Sequence, residues 1–173
     1  METKNIYLVV GKSGCGKTTL VEGLEDMGLK SIQSYTTRPR RHPNETGHIF
    51  VSQEEFDQLK DLVAYTYFNG YHYCATAEQV DSHNLYVIDN AGVEYLKFHY
   101  KGNKRVKVVY IETSWPRLLY RLVKRDGWKK AIKRIINDRR MIYKPADCYV
   151  IKNNKYMDAL RDFYNYIQEE EGR

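Results

Sequence analysis

Short apolar runs recur along the chain with polar and helical stretches between them. Ile6-Tyr7-Leu8-Val9-Val10 is nearly continuous and ends at a glycine-rich turn. A run of this length without polar alternation reads as a strand buried on both faces, as in a parallel sheet. After the turn, Leu20, Leu24 and Met27 fall at helical spacing, and Gly28 stands where a helix stop belongs. Leu85–Ile88, Val106–Ile111 and Cys148–Ile151 are further buried-strand candidates. Helical patterns run from Trp115 to about Lys124, from Lys129 to Ile142, and through Met157, Leu160, Tyr164 and Ile167. The alternation predicts an α/β fold, a parallel sheet with helices on both faces.

The segment 34–80 breaks this rhythm. It is rich in aromatics and turn residues (Arg38-Pro39, His42-Pro43-Asn44, Asn69-Gly70). Two capping-box patterns, Ser52-x-x-Glu55 and Thr76-x-x-Gln79, each mark a helix start. The expectation is one domain with its core in 1–33 and 81–173. The segment 34–80 would be a small mixed α/β insert at the sheet's C-terminal edge, where open α/β sheets bind ligands.

Composition narrows the class. At 173 residues the chain has the size of one domain, and 42% hydrophobic with 29% charged residues is a globular rather than a disordered balance. No apolar run approaches the roughly 18 residues of a membrane helix, and METKNIYLVV has no signal-peptide pattern. The three cysteines (15, 74 and 148) form no CxxC and no Cys/His cluster. A disulfide framework and a zinc site are therefore not expected, and a cytoplasmic, reducing setting is. A net charge of +6 suits anionic partners, or serves solubility alone. The sixteen tyrosines are scattered, which suits packing and interfaces more than a stacking platform.

The chemistry begins at the first turn. Gly11-Lys12-Ser13-Gly14-Cys15-Gly16-Lys17-Thr18 matches GxxxxGK[ST] in full, and it follows a strand and opens a helix. Glycines let several backbone N–H groups point at one anion, and the helix N-terminus adds its positive end. Lys17 would reach the β- and γ-phosphates of ATP, and the Thr18 hydroxyl would ligand Mg²⁺. These residues with Thr19 form the expected ATP site. Cys15 is either an activated thiol at a helix N-terminus or a tolerated small side chain. Downstream, 117–140 carries ten Lys or Arg against two acids. Arg121 and Arg125 share a helix face at i, i+4. Such a stretch could close over ATP or lie along a nucleic-acid backbone.

The motifs in order carry a resemblance. After the P-loop come Ser34-Tyr35-Thr36-Thr37-Arg38-Pro39-Arg40-Arg41, then Gly47-His48-Ile49-Phe50-Val51-Ser52 with Glu55-Phe56. Asn69-Gly70-Tyr71-His72-Tyr73-Cys74-Ala75 and Asp89-Asn90-Ala91-Gly92 follow. From Ile6 to about Asn154 the chain resembles the guanylate kinases, P-loop nucleoside monophosphate kinases. The resemblance implies transfer of the γ-phosphoryl group of Mg²⁺–ATP to a phosphorylated acceptor, GMP by default. It implies that Arg38 and one of Arg40 or Arg41 hold the acceptor phosphate with Tyr73, and that Ser34 and Asp89 contact the base. A helical lid over about 121–134 would bring Lys17, Arg121, Arg125 and Arg134 to the transferring group, with Asn153 bordering the adenine. Asp89 at a strand end could instead face the Mg²⁺ water shell.

The chain departs from the family pattern where the base is read. The family's guanine-binding glutamate is Ala64, its Ser or Thr after Y-Y-G is Ala75, and its Gly there is Cys74. An aspartate two before Asp89 is Val87, and His48 stands nearest a missing phosphate-binding tyrosine. Losing a base-pairing carboxylate removes much of the preference for guanine. A non-guanine nucleotide or a sugar phosphate such as ribose 1,5-bisphosphate is then the alternative acceptor. From other classes come a non-catalytic guanylate-kinase-like module, against which the intact Gly16-Lys17-Thr18 speaks, and a nucleic-acid-stimulated ATPase.

Overall fold

The structure is a computed structural model describing residues 3–40, 43–68 and 70–172. Every residue of β1 (Asn5–Val10) is buried, as its unbroken apolar run requires. It lies between β6 (Leu85–Val87) and β7 (Arg105–Glu112), with β8 (Tyr149–Lys152) beyond, in the order β6-β1-β7-β8, all parallel. Successive side chains alternate between two covered faces. Ile6, Leu8 and Val10 join Tyr86, Val108 and Tyr110 beneath α4 (Asn90–His99), which contributes Val93 and Leu96. Tyr7 and Val9 join Val109, Ile111 and Ile151 beneath α1 (Lys17–Glu25) and α7 (Tyr156–Glu170).

The second sheet has the order β3-β2-β5-β4 and comprises β2 (Ser34–Thr36), β3 (His48–Phe50), β4 (Leu62–Phe68) and β5 (Tyr71–Thr76). Its pairing is mixed: β2 runs parallel to β3, and β5 runs antiparallel to both β2 and β4. Both capping boxes are closed in both directions, at Ser52/Glu55 before α2 (Gln53–Asp57) and at Thr76/Gln79 before α3 (Ala77–Ser82).

Beyond β7, α5 (Trp115–Asp126) and α6 (Trp128–Met141) form a hairpin joined at Gly127 and sealed by Leu118, Leu122 and Ala131. Among the described residues no helix is long and apolar enough to cross a membrane. At the far end of the sheet, the Glu171 carboxylate accepts from Lys4 N–H (2.7 Å), Asn5 Nδ2 (2.7 Å) and the Tyr7 hydroxyl (2.9 Å). It ties the end of α7 to β1.

The pattern reading needs three corrections. The apolar stripe of α7 is Ala159, Phe163 and Ile167; Met157, counted in it, is 69% exposed. Leu160 and Tyr164 flank that stripe. Helix α1 ends at Glu25, so Met27 lies beyond it and outside its buried face. Helix α4 had no counterpart in the pattern, because Asn90 and Gly92 weaken its propensity and Phe98 points to solvent. Its start is nevertheless written in Asp89, whose carboxylate accepts from Gly92 N–H at 2.7 Å as an N-cap.

Candidate active site

The loop over 11–18 is fixed by its backbone. Gly16 has φ +93°, a left-handed conformation that a Cβ opposes, and an added Cβ would lie 2.3 Å from Asn153 Nδ2. The Cys15 carbonyl in the same turn accepts from Asn153 Nδ2 (2.8 Å), Thr113 Oγ1 (3.0 Å) and Arg121 Nη1 (3.4 Å). Helix α5 and the loops after β7 and β8 thus grip one peptide and present α1's free N–H groups in a set direction. Lys17 Nζ donates to the carbonyls of Gly11 (2.6 Å) and Lys12 (3.2 Å).

A cavity of about 470 Å³ opens over this loop, lined by Ser13, Gly14, Gly16, Lys17, Thr18, Thr19, Arg121, Arg125, Arg134, Asn153 and Tyr156. Most of the expected ATP-site residues therefore share one wall, together with all three expected lid arginines. Gly11, Lys12 and Cys15 do not line it. Cys15 is 1% exposed, burial pushes its thiol pKa up, and its side chain belongs to the core. This opposes an activated thiolate. Asn153 braces the loop from below, with its Oδ1 buried and unpartnered.

Carboxylates organise the cations. Arg125 and Arg134 both bind Asp126, at 2.9 and 2.8 Å. The hydrogen bonds from Arg125, with the charges of Arg125, Arg134 and Lys130, hold the Asp126 carboxyl below the usual carboxylate range. Asp138 on α6 accepts from Ser13 N–H at 2.5 Å and from Ser13 Oγ at 3.1 Å. Asp126 and Asp138 are the two acids of 117–140. Their isolation among ten cations was the signal that sequence reasoning passed over.

A second cavity, of about 270 Å³, lies between the two sheets beyond the C-terminal end of β6. Ser34, Arg38, Tyr73 and Asp89 line it as expected, joined by His48, Ala64, Thr66, Tyr86 and Val87. Arg38 is 8% exposed and pairs with Glu45 (2.7 and 3.2 Å), while its buried Nε has no hydrogen-bond partner among the described residues. Ser34 Oγ and His48 Nδ1 share a hydrogen bond of 2.9 Å, and the His48 ring meets Tyr73 edge-on. Arg40 stays outside the cavity, over the Phe50 ring at 4.3 Å. Arg41 lies outside the described residues. Thr66 follows Ala64 on the same face of β4, so strand alternation could have found it.

Ala64 and Ala75, both buried, pair across β4 and β5, and Ala64 lines the second cavity while Ala75 does not. A third cavity, of about 220 Å³, is lined by Ser13, Asp89, Ala91, Arg134, Asn137, Asp138 and Ile142. It shares Ser13 and Arg134 with the first cavity and Asp89 with the second.

The sequence matches no protein-family model and none of the curated proteins. Solved structures do resemble it. A guanylate kinase from Anaplasma phagocytophilum superposes with a TM-score of 0.63 at 18% identity, over 100% of this chain and 89% of that one. An unliganded sugar kinase from Janibacter sp. HTCC2649 gives 0.53 at 14%, over 95% and 94%. A gluconokinase from Sinorhizobium meliloti 1021 gives 0.50 at 14%, over 98% and 97%. The chain has the fold of the P-loop kinases: a parallel sheet with its helices and, after the first strand, a glycine-rich loop that opens a helix.

Proposed function

We propose that this protein is an ATP-dependent phosphotransferase that moves the γ-phosphoryl group to a phosphorylated small molecule, a nucleoside monophosphate with GMP as the default. The observation that carries the reading is the meeting of two unlike cavities. One is walled by a P-loop and three arginines, the other by a buried arginine whose Nε has no hydrogen-bond partner among the described residues, and a third cavity touches residues of both. Transfer between phosphates needs two anion sites and positioned positive charge. No general base is needed, because the attacking phosphate oxygen is already ionised.

Lys17 and the α1 N–H groups would hold the donor phosphates, Arg121, Arg125 and Arg134 would neutralise the transferring group, and Arg38 with Tyr73 would orient the acceptor phosphate. Among the described residues no cluster of acids, His and Cys could cage a metal alone. That donor set fits Mg²⁺ held by Thr18 together with phosphate oxygens and water, the usual arrangement for this ion. Bound there, Mg²⁺ would supply positive charge against the phosphates.

A second reading rests on Ala64 and Ala75. Ala64 lines the second cavity, and Ala75 pairs with it without lining it; a methyl group there offers guanine no hydrogen-bond acceptor, which favours a non-guanine nucleotide or a sugar phosphate in the same site. An ADP-release assay with Mg²⁺–ATP against GMP, dGMP, AMP, CMP, UMP, IMP and ribose 1,5-bisphosphate tests both. The expected result is turnover that depends on one of these acceptors. ATP hydrolysis indifferent to all of them but stimulated by nucleic acid would overturn the proposal, as would silence with ATP bound.

A further inference from the structure

Asp138 is the only acid whose hydrogen bonds reach the P-loop, among the described residues. It comes from α6, the helix that also carries Arg134, and it takes both the N–H and the hydroxyl hydrogen of Ser13. The position of Ser13 along the loop gives the contact its meaning. The Lys17 ammonium, which in a P-loop reaches the β- and γ-phosphates, rests on the Gly11 and Lys12 carbonyls. The α1 N-terminus at Lys17 marks the other end. Ser13 therefore lies toward the γ end of a bound triphosphate. The cavity running from Ser13 and Asp138 to Asp89 is the path from that end toward the acceptor.

We infer that Asp138 is the residue by which the site tells ATP from ADP. The inference rests on the kinase reading above. One N–H cannot donate fully to a carboxylate and to a γ-phosphate at once, and two anions at that distance repel. ATP has to displace Asp138 from Ser13, and the displacement carries α6 and Arg134 with it. ADP ends at its β-phosphate and leaves the Asp138–Ser13 contact seated. The carboxylate thus lowers affinity for the triphosphate selectively and couples the presence of a γ-phosphate to the position of a lid arginine. Once the γ-phosphoryl group has left, Asp138 returns to Ser13.

Calorimetric titration of the wild type and Asp138→Asn with Mg²⁺–ATP and Mg²⁺–ADP tests this without turnover. Asn keeps the shape and an acceptor oxygen and removes only the charge. The expected result is an ATP Kd about tenfold lower with an ADP Kd changed by less than about twofold. A second readout uses Trp115, whose ring lies 5.9 Å from the Arg139 guanidinium on α6. In a Trp128→Phe background, ATP should change the Trp115 emission and ADP should not.

If the Asn variant melts early, Asp138→Ala gives the same comparison of ratios. Equal effects on both nucleotides, or weaker ATP binding, would overturn the inference and make Asp138 a structural brace. A wild type that binds neither nucleotide overturns the kinase reading, and this inference with it.

Discussion

One methyl group at Gly16 reports how the loop over 11–18 is held. Gly16→Ala places a Cβ on a residue at φ +93°, which costs roughly 1–2 kcal/mol. The same Cβ would sit 2.3 Å from Asn153 Nδ2, so the amide must leave and its 2.8 Å bond to the Cys15 carbonyl is lost. Losing that bond in a buried setting adds about 1–2 kcal/mol. The total of about 3 kcal/mol should lower the melting temperature by roughly 6–12 °C in a chain of this size. Asn153→Ala removes the obstacle and the bond together, so in that background Gly16→Ala should add only the left-handed strain. Urea unfolding of the four proteins measures the coupling, expected at about 1–2 kcal/mol of sub-additivity. Additivity within about 0.5 kcal/mol would refute the reasoning, because Asn153 would then not be what the methyl group meets.

Further predictions concern the proposed donor and acceptor sites and the contact between β1 and the end of α7. Lys17→Ala should abolish transfer while melting within about 2 °C of the wild type; full activity would remove the P-loop from the mechanism. Arg38→Ala should raise the acceptor KM about 10–100-fold with a much smaller change in the ATP KM, and the reverse pattern would exchange the two cavities. Ala64→Glu should raise GMP turnover and lower stability in the absence of acceptor; unchanged turnover would mean that this face of β4 is not the base subsite.

Glu171 gives a pH signature. Burial would raise its pKa, but hydrogen bonds from Lys4 N–H, Asn5 and Tyr7 outweigh burial and hold it below the usual value. Its contribution is then complete above the unfolded carboxylate pKa of about 4.3 and fades as pH falls through the folded value. The stability gap between wild type and Glu171→Gln should be constant from pH 5 to 7, about two units of plateau, and shrink below about pH 4. A gap that widened on acidification would contradict the sign.

Much of this was legible along the chain because it is local. A strand buried on both faces has to be apolar throughout, so β1 announces itself. A P-loop needs its glycines, lysine and threonine contiguous, because consecutive N–H groups must converge on one anion. A capping box closes within four residues, so Ser52/Glu55 and Thr76/Gln79 could be read directly. Helix α4 was harder because its cap is a single aspartate and its apolar stripe is only Val93 and Leu96. In α7 the period was right, and Leu160, Tyr164 and Ile167 do pack on the core while Met157 does not. Met157 is apolar too, and only packing against α1 and the sheet makes Ala159 and Phe163, with Ile167, the buried centre of the stripe.

What the sequence determined by itself is the half of the site that the proposed donor would use: the GxxxxGKT loop, its place after a buried strand and the basic hairpin beyond. Only the tertiary structure decided which charges meet. Asp138 reaches Ser13 across 125 residues and Glu171 reaches Tyr7 across 164, while Arg121 of α5 and Asn153 after β8 converge on the Cys15 carbonyl. No local pattern encodes such pairs. An ion pair or a braced carbonyl depends on the angle at which helices cross a sheet, and that angle is set by the whole core.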